Sequence, residues 1–242
     1  MKNQPSIIFE DDDIVVLNKP AHYLTIPDRF VAERPNLTSF LKDRLEDVFV
    51  VHRLDKETSG VILFAKNAAA HRNLSMQFEA RTIDKIYLAL VEGTVHKEEG
   101  EINQPIANNM RDKGRMIIAS RGKPSLTLYQ VVERFKNYTL VEANIKTGRT
   151  HQVRVHFERI GYPLAVDSLY GRKDAFLLSE VKRKKYRRGK DVLVEKPLMS
   201  RTTLHAAKVT FKHPTTNESI TFKAELPKDF RAVLNQLRKW GI

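Results

Sequence analysis

Two short stretches of the chain concentrate side chains capable of polar chemistry. The first is His52-Arg53-Leu54-Asp55-Lys56-Glu57-Thr58-Ser59-Gly60, which runs directly into the apolar segment Val61 to Ala65. If His52 to Asp55 is extended, Arg53 and Asp55 project to one side and Leu54 to the other. A carboxylate held beside a guanidinium stays ionised and oriented, which suits a nucleophile or base better than a general acid. Thr58-Ser59-Gly60 reads as a turn, and the buried strand after it would anchor the segment. The same spacing fits a structural Arg–Asp pair at a strand end, and spacing alone does not separate the two.

The second stretch is Lys146-Thr147-Gly148-Arg149-Thr150-His151-Gln152-Val153-Arg154-Val155-His156. Gly148 suggests a turn, and the alternation after it predicts a strand. On such a strand Val153 and Val155 face inward, while Gln152, Arg154 and His156 face a cleft or solvent. The eight histidines are scattered and no HExxH occurs, so the sequence predicts no metal site. Neither GxGxxG, a Walker-type loop nor a GxSxG elbow is present, which removes the usual marks of nucleotide-cofactor chemistry and serine hydrolysis.

These residues need a rigid frame, and the chain supplies short apolar runs rich in β-branched residues. They are Ile7 to Phe9, Ile14 to Leu17, Val61 to Ala65, Ile86 to Val91, Leu126 to Val132, Tyr138 to Ile145, Val153 to Phe157, Leu204 to Phe211 and Ser219 to Ala224. Turn chemistry at residues 213–218 joins the last two as a hairpin. Helical spacing marks Leu37 to Val48, Asn67 to Arg81 and the tail from Pro227. Several neighbouring strand pairs lack crossover helices, so the pattern predicts an α+β fold with mostly antiparallel sheet. No repeat or flexible linker interrupts the 242 residues, so a single domain is expected over 1–242.

Composition narrows the partner. With 42 Lys and Arg against 29 Asp and Glu, the formal charge is +13, and a polyanion is the first candidate because phosphates release counterions to such side chains. No apolar run approaches the roughly 20 residues of a spanning helix, and residues 1–5 lack the apolar core of a secretory signal. A cytoplasmic protein with no membrane partner is therefore expected. The absence of cysteine excludes disulfides, thiolate nucleophiles and sulfur-ligated zinc. From Lys182 to Lys190 seven of nine residues are basic, with Tyr186 among them. Such a run is commonly a solvated loop. On a chain this basic it also predicts RNA-backbone contacts from Lys182, Arg183, Lys184, Lys185, Arg187 and Arg188, with Tyr186 able to stack on a base.

The run HRLDKETSGVILFAKN, residues 52–67, strongly resembles the hallmark segment of the RluA-type pseudouridine synthases, which isomerise uridine within RNA. Four further segments resemble the family in the same order. They are IIFEDDDIVVLNKPAHYLTIP, RTIDKIYLALVEG, TGRTHQVRVHFERIGYPLAVDSLYG and LHAAKVTFKHPTTNESITFKAELPKDF. Together they extend from about Ile7 to Phe230. The resemblance implies a mixed, mostly antiparallel sheet with flanking helices around a central basic cleft. It implies that Asp55 is the essential aspartate, Tyr87 the active-site tyrosine against the uracil, and Arg154 the arginine that pairs with the carboxylate. It gives Arg53 the place of the base when the uridine is flipped out, and leaves His52, Thr150, His151 and Gln152 supporting roles in substrate binding. No cofactor is expected. The expected partner is structured rRNA or tRNA, bound by a monomer.

Many relatives carry an S4-type RNA-binding domain ahead of the catalytic part. Here the match starts almost at residue 7, so no N-terminal S4 domain is expected. The family pattern is also interrupted by a basic insertion at about 172–201. Two rivals of other classes remain: a non-catalytic RNA-binding protein on the same scaffold, and a metal-dependent nuclease, which would shorten RNA and respond to chelator.

Overall fold

The computed structural model describes residues 4–31, 33–187 and 194–241, which form twelve strands and five helices. In chain order these are β1 (Ser6–Glu10), β2 (Ile14–Lys19), α1 (Leu37–Lys42), β3 (Phe49–Val50), β4 (Ser59–Ala65), α2 (Ala68–Glu79) and β5 (Asp84–Glu92). There follow β6 (Glu99–Asn103), β7 (Ile106–Asn108), β8 (Met116–Ile118), β9 (Leu126–Arg134), β10 (Tyr138–Ile145) and α3 (Gln152–Arg159). The last are α4 (Leu178–Lys182), β11 (Leu204–Lys212), β12 (Ser219–Lys223) and α5 (Lys228–Trp240). The architecture is α+β with a large, mostly antiparallel sheet, as the strand pairs without crossover helices implied. The chain clusters into two compact units, each assembled from separated stretches.

The first unit comprises Met1–Tyr87, Asn144–Thr147 and His205–Glu225. Its strands run in the order β1-β2-β4-β11, with β3 on β4 and β12 on β11. Residues Ile14 to Leu17 and Ile62 to Ala65 are fully buried, the continuous apolar pattern of strands covered on both faces. β2 and β4 pair antiparallel with Leu17 opposite Ile62, whereas β11 and β4 pair in parallel through His205–Ser59 and Ala206–Gly60. Gly60 is required here: its φ is +118°, and a Cβ would lie 2.1 Å from the Ala206 carbonyl oxygen. Asn36 caps α1 by accepting from the Ser39 amide at 2.8 Å, and Asn67 caps α2 through the Ala70 amide at 2.9 Å. Each cap contributes about 1 kcal/mol.

The second unit comprises Leu88–Ala143, Gly148–Leu204 and Leu226–Ile242. Its strands run in the order β5-β10-β9-β6, beginning with the later half of β5, and β7 pairs with β8. α5 places Phe230, Val233, Leu234 and Leu237 in a core with Leu90, Tyr138 and Phe176, the apolar stripe that its spacing predicted. Its start is pinned where Arg201 forks onto Asp229, at 2.7 and 2.9 Å.

The expected strand at Val153 to Phe157 is instead part of helix α3. The period-two alternation was misleading because all of Gln152 to Phe157 is buried. Each polar member has its own hydrogen-bond partner, so polarity there does not report exposure. The helix expected over Leu37 to Val48 stops at Lys42, and Phe49–Val50 pairs with β4 instead. The turn expected at Thr58 to Gly60 falls at Lys56 and Glu57, and Ser59 already belongs to β4. Asn67 caps its helix as the sequence suggested, and β11 and β12 form the expected hairpin.

Candidate active site

Asp55 lies on an irregular segment between β3 and β4 whose backbone is gripped from several sides. The Thr25 hydroxyl donates to the Leu54 carbonyl at 3.3 Å and accepts from the Leu54 amide at 3.2 Å. On the other flank, the Lys56 carbonyl accepts from the His22 amide at 2.8 Å and from Lys19 Nζ at 3.0 Å. The Thr58 amide closes the turn onto the Asp55 carbonyl at 3.1 Å. Leu54 is buried, Arg53 is exposed and Asp55 is partly exposed, the alternation expected of an extended stretch. A carboxylate is thereby presented from a backbone that has little freedom to move.

Lys19 belongs to the Asn-Lys-Pro turn and is completely buried. Its ammonium donates to the carbonyls of Pro20, Tyr23 and Lys56 at 3.1, 2.8 and 3.0 Å, one for each of its three protons. It ties the end of β2 to the turn after Asp55. Deeper in the same unit, the Ser59 hydroxyl donates to His205 Nδ1 at 2.9 Å, and His205 Nε2 donates to the Ala224 carbonyl at 3.1 Å. This buried relay fastens β4 to β11 immediately after the Asp55 turn.

Tyr87, on β5, is 8% exposed. Burial, and after it the negative charge of Asp55, push its hydroxyl above the usual tyrosine pKa. The ring is therefore a neutral phenol that retains its proton across the physiological range. His52 has a different setting: its Nε2 accepts from the Leu63 amide at 3.0 Å and its ring stacks on Phe78 at 4.9 Å. Burial, with the nearby Lys85 charge, lowers its pKa to about 3. It is thus a neutral acceptor that splices the Asp55 segment onto β4, with its proton assigned to Nδ1 by that bond.

In the second unit, α3 opens at His151, whose φ is +55°. Thr150 is exposed. His151 Nδ1 bonds the Tyr170 hydroxyl at 2.9 Å, and that hydroxyl also accepts from the Met116 amide at 2.6 Å. Gln152 is buried and donates to the Leu126 carbonyl and the Thr127 hydroxyl, both at 2.9 Å, while accepting from the Arg149 amide at 3.1 Å. Arg154 is 5% exposed and forks onto Asp167, Nε to Oδ2 at 2.6 Å and Nη2 to Oδ1 at 2.7 Å. Its guanidinium also lies 4.9 Å from the centre of the Tyr170 ring. Asp167 is held in turn by the amides of Leu169 and Tyr170 at 2.9 and 3.0 Å. The plane of the Arg154 guanidinium is therefore set by a buried carboxylate and an aromatic face.

The sequence reading did not single out Asp167, Tyr170, Lys19 or Thr25. Asp167 and Tyr170 lie in the segment that carries Arg154, and Lys19 and Thr25 lie in the first matched segment, so position in those segments was the available signal. Of the basic run, Lys182 ends α4, Arg183 to Lys185 form one 3-10 turn, and Arg183, Lys184, Lys185 and Arg187 are exposed. Tyr186, considered as a stacking platform, hydrogen-bonds to the Glu195 carboxylate. Arg188 lies outside the described residues.

Among the described residues, no group of three metal-binding side chains is assembled, and no helix is long and apolar enough to cross a membrane. The profile of the family described as RNA pseudouridylate synthase matches residues 13–159, more than half of the chain. An uncharacterized RNA pseudouridine synthase of Bacillus subtilis is 34% identical over 245 residues, covering 97% of this chain and 73% of that protein. A protein of Haemophilus influenzae, named ribosomal large subunit pseudouridine synthase C, is 36% identical over 250 residues, covering 99% of this chain and 70% of its own length. The solved human RNA pseudouridylate synthase domain containing 4 shares the fold, with a TM-score of 0.75 at 24% identity, over 96% of this chain and 93% of that one. The ordered segments that surround Asp55, Tyr87 and Arg154 are thus matched across nearly the whole length, and the chain belongs to the RluA-type family of RNA pseudouridine synthases.

Proposed function

We propose that the enzyme converts one or more uridines of structured ribosomal RNA to pseudouridine, with Asp55 as the catalytic carboxylate and no cofactor. The observation that supports this most directly is the pinned Asp55 segment, with a buried Tyr87 phenol that senses the Asp55 charge. The isomerisation breaks the N1–C1′ bond, turns the uracil and joins C5 to C1′, with the C5 proton lost and one proton taken up at N1. Its atoms balance without oxidant, reductant or group donor. Asp55 either attacks C1′ or removes a sugar proton. Tyr87 offers an apolar face to the loosened uracil while its hydroxyl stays protonated.

Arg154 keeps the part that the family resemblance gives it, and Asp167 fixes the plane in which its guanidinium acts. Arg53, exposed two residues before Asp55, fills the space left by a flipped uridine, whose extrusion costs about a few kcal/mol. His52, Thr150, His151 and Gln152 support substrate binding chiefly by holding the segments that carry Arg53, Asp55 and Arg154. Lys182, Arg183, Lys184, Lys185, Arg187 and Arg188 contact the RNA backbone. The names of relatives that act on large-subunit ribosomal RNA favour that substrate over tRNA, and a cytoplasmic monomer is the corresponding state of the protein.

The test is to map pseudouridines in ribosomal and transfer RNA from cells lacking the gene, then after complementation. A ribosomal position lost in the deletion should return with the wild-type gene and stay unmodified with Asp55→Asn. Loss confined to tRNA would overturn the ribosomal assignment, and recovery with Asp55→Asn would overturn the catalytic one.

A further inference from the structure

We propose that the second unit carries a phosphodiester-binding pocket around Trp240 that grips the backbone of the substrate RNA through residues outside the Asp55, Tyr87 and Arg154 set. The inference rests on RNA being the substrate and adds a site to that function. The pocket, about 390 Å³ including its open mouth, is walled chiefly by Lys136, Asn137, Tyr138, Glu180, Arg183 and Trp240. It is built where the turn between β9 and β10 clamps the end of α5: the Lys136 amide donates to the Gly241 carbonyl at 2.6 Å. Arg183 donates to the Asn137 side-chain oxygen at 2.7 Å, with the amide oriented by that bond.

Among the described residues, cations outnumber carboxylates around this pocket, which favours an anion. The ammonium groups of Lys182, Lys185 and Lys239 lie 5.4, 5.2 and 5.3 Å from the centre of the Trp240 ring, and Lys136 and Arg183 line the cavity beside them. A helix C-terminus carries about half a negative charge and an indole face attracts a cation. Those two effects account for one or two of these five cations. Glu180 is the carboxylate in the wall, and it is engaged by Lys173 and by the Tyr138 hydroxyl. Among the described residues the buried indole Nε1 has no hydrogen-bond partner, a donor that an anionic oxygen would satisfy. A phosphodiester supplies singly charged, non-bridging oxygens of the right size, and successive phosphates of one strand could engage the cavity and the lysines over the ring.

Trp240 is the only tryptophan, so the intact protein reports on its own site. Titration with a short single-stranded oligouridylate should change Trp240 emission saturably, and the apparent affinity should fall steeply with salt. Lys136→Glu combined with Arg183→Glu should weaken RNA binding about tenfold or more and reduce the log–log salt slope by about 1.4, at about 0.7 per lost contact. A second pair at exposed or partly exposed positions, Lys182→Gln with Lys185→Gln, should act in the same direction and guards against a folding defect in the first. Unchanged affinity and slope in both pairs would overturn the proposal and leave the cations as ornaments of a helix end. An emission response to anionic lipid vesicles, with none to RNA, would overturn it as well. Because the readout is binding, the Asp55→Asn protein should show the same emission response whether or not it isomerises, and an active wild-type enzyme without that response would sink this inference alone.

Discussion

Arg154 and Asp167 form a buried pair with side-chain exposures of 6% and 0%, and the cost of breaking it is set by the charge left behind. Asp167→Ala would remove the buried carboxylate that accepts two guanidinium hydrogen bonds, and the expected loss of stability is about 3–5 kcal/mol. A urea midpoint that moves by the equivalent of less than about 1 kcal/mol would contradict the geometry. His52 makes a pH prediction. Its folded pKa, near 3, lies below the ordinary value of 6.5, so the unfolded chain binds this proton first. The stabilising effect is complete above about pH 6.5 and is lost as pH falls toward 3. His52→Gln should flatten the dependence of unfolding free energy on pH across that window, and an unaltered profile would show that another group governs it. Asp55, Tyr87, Arg154 and Asp167 all lie in segments that resemble the family, but spacing alone did not mark Asp167, because a carboxylate that serves another side chain leaves no pattern of its own.

At the scale of elements, the junction of β4 with β11 sits next to the Asp55 turn and tolerates no side chain at Gly60. Gly60→Ala meets the Ala206 backbone at 2.1 Å with φ already at +118°, so it must part the two strands or fail to fold. The measurable outcome is a drop in thermal midpoint, with loss of activity in any protein that still folds. A fully active, equally stable Gly60→Ala would refute the close approach. Elements whose apolar pattern matches their burial, such as β2, β4 and α5, could be read directly from the chain. α3 could not, because its polar residues are buried and individually satisfied, so V-R-V-H-F imitates a strand. β6 and β7 are short strands that no apolar run announces, and the three apolar residues of β8 were not read as one.

Over the whole molecule, the formal charge of +13 makes RNA binding a salt-dependent event, with the slope counting phosphate contacts. The sequence therefore indicated the class of partner, while the pocket that gathers some of this charge was hidden in it, since Lys136, Arg183 and Trp240 are far apart along the chain. The two compact units were equally hidden: each is stitched from separated segments, so no linker marks a boundary. Tritium release from RNA labelled at uracil C5 asks whether Asp55 performs the isomerisation. The wild-type enzyme should release tritium without added metal or nucleotide, and Asp55→Asn that still folds and binds RNA should release none. Comparable release by both proteins would contradict it.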